Sequence, residues 1–133
     1  MSGITELATL ISAMQPKLMA NEFVFCTVQG ELADYVWLNP LASFSEVEGL
    51  TLIVSKTTAS DAGLAFSGIF KQITLNVHSS LNAVGLTAAV SGQLAAKGIS
   101  ANVFAAYYHD HIFVASEHAT AALSALTDLS DGV

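Results

Sequence analysis

The 133-residue chain predicts an α+β fold of two halves, each packing helices on one face of an antiparallel sheet. Three observations predict it. After residue 70 the pattern runs strand, helix, strand, strand, helix. The first half repeats that order with a degraded first helix, GELADYVW. Neither half is long enough for a comfortable core of its own, so the two are expected to share a sheet edge or a core. A single mixed-sheet domain is the competing reading.

The elements follow in order. Ile4, Leu7, Ala8, Ile11 and Met14 recur at helical offsets, and Pro16 stands where that short helix should stop. EFVFCTV is β-branched and aromatic on both faces, as a centrally buried strand is. GELADYVWLNP reads as one weak helical turn or a loop, ended by Pro40. LASFSEV and LTLIVS flank Glu48 and Gly49, a turn-forming pair, and predict a β-hairpin. TTASDAGL starts a helix with Thr57 or Thr58 as its N-cap.

In KQITLNVH, Ile73, Leu75 and Val77 alternate with Gln72, Thr74, Asn76 and His78, which predicts a strand with one buried and one polar face. Leu86, Ala89, Val90 and Leu94 form a helical stripe, and Gly98 supplies a left-handed stop. ISANVFAAYY and HIFVAS are strands joined by a tight turn near His109 and Asp110. Ser116 is expected to cap a last helix with Ala119, Ala122, Leu123 and Leu126 inward, and the tail TDLSDGV to fray.

Charge narrows the function. Four lysines, no arginine and eleven carboxylates leave a net charge of −7, so nucleic acid and anionic membrane are poor partners. Without arginine the usual bidentate clamp on a carboxylate or phosphate is unavailable, and an anionic ligand depends on backbone N–H groups or a lysine. Cys26 has no partner in the chain and lies in an apolar run, which fits a packed thiol in a reducing compartment. MSGITELATLISAM has no basic flank and carries Glu6, so it is expected to be neither a signal peptide nor long enough to span a bilayer. A cytoplasmic location is expected.

The run HSSLNAVGLTAAVSGQLAAKGISANVFAAYYHDHIFV resembles the second half of a family of small bacterial proteins made of two ACT-like domains. EFVFCTV and EGLTLIVSKTTASDAGL in the first half resemble the same family. The resemblance implies two ferredoxin-like βαββαβ units: residues 1–67, a degenerate unit carrying the N-terminal helix, and residues 68–133. It also implies a non-catalytic regulatory role, sensing an amino acid or similar metabolite at a domain interface, with no cofactor. A homodimer or higher homo-oligomer is expected, because exposed strand edges need cover. An unidentified regulated protein is a further implied partner.

The resemblance assigns the ligand loop to His78, Ser79, Ser80, Leu81, Asn82 and Ala83, and the glycine-containing helix start to Val84, Gly85, Leu86 and Thr87. It places Asn102 facing the same pocket. The first-half loop Gln29-Gly30-Glu31 departs from the pattern and lacks a glycine-led helix. Physically, a helix N-terminus with its free N–H groups receives a carboxylate without any arginine. Gly85 lets backbone approach the ligand, so Gly85→Val is expected to abolish binding and keep the fold. An ammonium acceptor is left open among backbone carbonyls, Asn102, Glu46, Glu48 and Asp110.

Plainer readings stand beside these. Ser80 or Asn82 serves as an ordinary helix cap, and Gly85 as a packing glycine. His78 serves as a surface histidine. His109, Asp110 and His111 form a secondary polar cluster with the alternation of a metal chelate, but no third and fourth ligands stand nearby in sequence, so no metal is expected. Ser79 and Ser80 beside His78 lack the GxSxG elbow of a nucleophile, and strand neighbours point to opposite faces. The alternative functions are a dimerising interaction scaffold without ligand, or a small metal-dependent or hydrolytic enzyme.

Overall fold

The computed structural model describes residues 6–132. Its elements are α1 (Leu7–Ser12), β1 (Pro16–Val28), a 3-10 helix (Leu32–Leu38), β2 (Ala42–Ser45), β3 (Leu50–Ser55), α2 (Lys56–Asp61), β4 (Phe70–Leu75), α3 (Leu86–Ala96), β5 (Asn102–Ala105), β6 (Asp110–Ala115), a 3-10 turn (Ser116–His118) and α4 (Ala119–Asp131). No described helix is long and apolar enough to cross a membrane.

The chain forms two compact units: Met1–Ala20 with Lys71–Val133, and Asn21–Phe70. The boundary expected from sequence falls at 67/68, whereas in space residues 16–20 group with 71–133, because β1 is longer than EFVFCTV suggests. It begins at Pro16 and runs for 13 residues, with Pro16 in the first position, where a strand tolerates the missing N–H. Residues 16–20 therefore serve the unit completed by residues 71–133. There the strand order is β1, β4, β6, β5. The Asn76 N–H bonds the Met14 carbonyl at 2.9 Å just outside the β1 and β4 ends. In the Asn21–Phe70 unit the order is β2, β3, β1, with antiparallel registers such as Cys26 opposite Leu52 and Phe44 opposite Thr51. Both units are ferredoxin-like, with helices on one sheet face.

In the larger unit, the period of two sends Ile73, Leu75, Ile112 and Val114 into one core with Leu86, Val90 and Leu94 of α3 and Ala122 and Leu126 of α4. Leu10, Ile11 and Met14 close that core beside α1; Ile4 lies outside the described residues. Truncating the fully buried Leu94 to alanine costs about 2–5 kcal/mol. In the smaller unit Val24, Cys26, Leu52 and Val54 pack against Leu38 and Ala59. Burial raises the Cys26 thiol pKa.

Several local expectations change. Ser55, not Thr57 or Thr58, caps α2: its Oγ accepts the Thr58 N–H at 3.1 Å. Gln72 and Thr74 are buried, so β4 has no solvated polar face. Ser116 opens a 3-10 turn instead of capping α4. The tail does not fray through TDLSD, since α4 continues to Asp131 and Ser130 Oγ donates to the Ser12 carbonyl at 3.3 Å. The ambiguous GELADYVWLNP resolves as the 3-10 helix, ended by Asn39 in the left-handed conformation. The hairpin at Glu48 and Gly49 forms as expected, as does the Gly98 stop with φ +73°.

Candidate functional site

Between β4 and α3 the chain makes a polar turn. The Asn82 N–H donates to Ser80 Oγ at 3.1 Å and the Ala83 N–H to the Ser80 carbonyl at 3.0 Å. Those bonds engage Ser80 within the turn, so neither Ser80 nor Asn82 caps α3. The cap position is Gly85, which has no side chain to offer, and the first turn of α3 carries no acidic residue. The first bond of the helix runs from the Ala89 N–H to the Gly85 carbonyl at 2.9 Å. The N–H groups of Leu86, Thr87 and Ala88 precede it, where helical geometry supplies no acceptor. An eleven-residue helix thus ends in uncapped donors and a partial positive charge.

Two features favour glycine at position 85. Its φ is +101°, and a Cβ here would lie 3.0 Å from Leu7 Cδ2. Gly85→Val is therefore not neutral to the fold, contrary to the expectation from sequence, because a β-branched residue is strained at positive φ.

The start of α3 opens into a cavity of about 160 Å³ whose lining includes Ser79, Ser80, Gly85, Leu86, Thr87 and Asp110. His78, Asn82 and Asn102 are not part of the lining. His78 is half-buried, with its ring 5.2 Å from Tyr108 and 6.4 Å from Tyr107 between centroids. Asn102 pairs with Phe113, and its Nδ2 donates to the Phe113 carbonyl at 3.2 Å. Its neighbour Val103 packs on the core, so alternation along β5 turns Asn102 to the opposite face.

The secondary cluster divides by the same alternation. Asp110 lies in step with Ile112 and Val114 on the helix-covered face, and it is only 8 % exposed. Its carboxylate accepts no hydrogen bond from any described residue. Burial raises its pKa, an effect partly offset by His111 and His109. His111 faces the other way, with Nδ1 3.0 Å from both Gln72 Nε2 and Thr74 Oγ1. Accepting from the Gln72 amide suits a neutral ring, and burial, with His109 adding, lowers the His111 pKa. His109 Nδ1 sits 3.2 Å from the Val77 carbonyl. Among the described residues no three of His, Cys, Asp and Glu converge to hold a metal ion.

The corresponding loop of the smaller unit fills itself. Glu31 and Asp34 form a reciprocal capping box at the start of the 3-10 helix, with Asp34 Oδ2 accepting the Glu31 N–H at 3.1 Å. Gln29 Nε2 donates to the Glu48 carbonyl at 2.9 Å, and the Tyr35 hydroxyl donates to the Gln29 carbonyl. Here, unlike at α3, the chain's own carboxylates engage the N–H groups of Glu31 and Asp34. Sequence reasoning found the α3 loop through its glycine and polar residues. It left Asp110 among several acceptors because the cue, a charge in step with Ile112 and Val114, acquires meaning only beside the helix start.

Comparison with known proteins gives this arrangement a family. Two ACT domain models match the chain, one over residues 2–71 and one over residues 70–128. No curated protein matches it. Among solved structures, a Vibrio cholerae protein described as of unknown function and a possible transport protein is 55% identical, with a TM-score of 0.86 over 93% of this chain and 95% of that one. An Agrobacterium tumefaciens protein has 13% identity and a TM-score of 0.72, covering 86% and 87% of the two chains. The ligand-free regulatory subunit of aspartate kinase from Thermus thermophilus has 14% identity and a TM-score of 0.68, covering 88% and 97%. At those lower identities the likeness is one of fold. With a family match across each of its two halves, the chain belongs to the ACT domain family.

Proposed function

We propose that this protein is a non-catalytic regulatory protein that senses a small amino acid or related metabolite at the start of α3. The observation that carries the proposal is the uncapped N-terminus of α3 opening into a cavity. Its free N–H groups receive the ligand carboxylate, and Ser79, Ser80 and Thr87 supply hydroxyls that orient it. Family membership supports the reading, as does the shared fold of a protein named as a regulatory subunit. Binding then favours whichever arrangement of the loop and α3 holds the ligand more tightly, and that preference is the signal passed to a regulated partner. The lone buried thiol of Cys26 accords with a cytoplasmic setting.

The test is a thermal-unfolding screen against the common amino acids and several nucleotides, with oligomeric state followed alongside. A ligand at a hundred times its Kd adds about 2.7 kcal/mol, which raises the midpoint by several degrees. One selective rise supports sensing. No rise with any compound sinks it and favours the second reading, a homodimeric interaction scaffold. That reading has its own observation: Val36, Trp37, Phe44 and Val47 are exposed, and Phe44 lies on β2 at the end of its strand order.

A further inference from the structure

We infer that Asp110 is the ammonium acceptor of the α3 cavity, so that the site selects a small zwitterion of glycine, alanine or serine size over metabolites lacking a cationic nitrogen. The inference rests on the sensing reading of the same cavity. Asp110 is more than nine-tenths buried, lines the cavity, and accepts no hydrogen bond from a described residue. No fully buried side-chain oxygen among the described residues lacks a partner, so the Asp110 carboxylate opens onto the cavity, where a donor can reach it from outside.

The neighbouring groups do not supply it. The Nδ1 atoms of His109 and His111 are turned to the Val77 carbonyl and to Gln72 and Thr74. None of the four lysines lines the cavity. The cavity therefore presents a positive pole, the N–H groups of α3, and a negative pole, Asp110. An α-amino acid carries the complementary pair on adjacent atoms. A phosphate, nucleotide or simple carboxylate meets the helix donors but also the negative charge of Asp110, and is disfavoured.

Size narrows the class further. About 160 Å³ is the share of roughly five waters and falls below the range of about 300–1,000 Å³ for drug-sized ligands. Glycine, alanine and serine suit that volume, whereas tryptophan and nucleotides exceed it.

Isothermal titration of the wild-type chain with glycine, L-alanine, L-serine, propionate, N-acetylglycine and L-tryptophan tests this, repeated with Asp110→Asn. At least one of the three small amino acids should bind. Propionate and N-acetylglycine should bind about 30-fold or more weakly, as expected for loss of a charge-assisted bond. Asp110→Asn should weaken the amino acid by a similar factor while its own unfolding midpoint is unchanged or higher, since it removes a charge that partial burial disfavours. Equal binding of N-acetylglycine, or undiminished binding by Asp110→Asn, overturns the role of Asp110 and leaves the sensing reading standing. A larger compound that shifts unfolding in the screen while the three amino acids fail to bind has the same meaning. If nothing binds in either experiment, both readings fall. The ligand series needs no variant and decides the matter even if Asp110→Asn misfolds.

Discussion

Three glycines of one segment should respond to alanine with different signs. Gly85 has φ +101° and a neighbour 3.0 Å from its would-be Cβ; Gly98 has φ +73° and nothing within 4 Å; Gly92 lies inside α3 with nothing within 4 Å. A left-handed conformation costs an L-residue about 1–2 kcal/mol, and that term applies at Gly85 and Gly98 alike. The additional contact at Gly85 is with the end of the Leu7 side chain, which is 37% exposed and free to yield, so the backbone term dominates. Gly85→Ala and Gly98→Ala should each lower the unfolding midpoint by about 3–10 °C. Gly92→Ala gains helix propensity and should stabilise the protein by about 0.5–1 kcal/mol. Urea titration followed by circular dichroism reads all three, and Leu7→Ala added to Gly85→Ala should recover only a small part of the loss. If Gly85→Ala and Gly92→Ala move stability in the same direction, the assignment of Gly85 as a strained helix cap is wrong.

Other consequences are equally direct. Because burial lowers the folded pKa of His111 from its ordinary 6.5, the unfolded chain takes up that proton first, and stability should fall as pH drops below about 6.5. His111→Gln should flatten that slope; a slope that persists assigns it to another group. Asp110 works in the opposite sense: its raised pKa means that folding favours its protonated form, so its penalty is present at neutral pH and relieved on acidification toward 3.8. Ser55→Ala removes the α2 cap and should cost about 1 kcal/mol in chemical denaturation, with Ser55→Asp recovering most of it. Cys26 should resist a thiol reagent in the native protein and react at the rate of a free thiol only in denaturant; rapid native labelling would contradict its burial and raised pKa.

Most elements were legible in the sequence because their signals are local. Alternation at Ile73, Leu75 and Val77, the stripe Leu86, Val90 and Leu94, and the turn at Glu48 and Gly49 each depend on residues a few positions apart. Helix caps were less legible: Ser55, Thr57 and Thr58 are all competent, and the choice depends on which residue leaves the strand first. The candidate site was legible only as far as the cavity lining. Ser79, Ser80, Gly85, Leu86 and Thr87 do line one cavity, while Asn102 turns away with Phe113 and Asp110 turns in.

The sequence by itself determined the ACT-type order of strands and helices, the absence of any arginine, and the glycine that α3 needs at its start. Those properties reside in composition and in the short-range geometry of the backbone. Only the tertiary structure decided that residues 16–20 complete the unit formed by residues 71–133, and that Asp110, with no hydrogen-bond partner among the described residues, lines the cavity at the start of α3. Strand pairing and the burial of a charge join residues far apart in the chain, and their energies exist only once the intervening chain has closed around them.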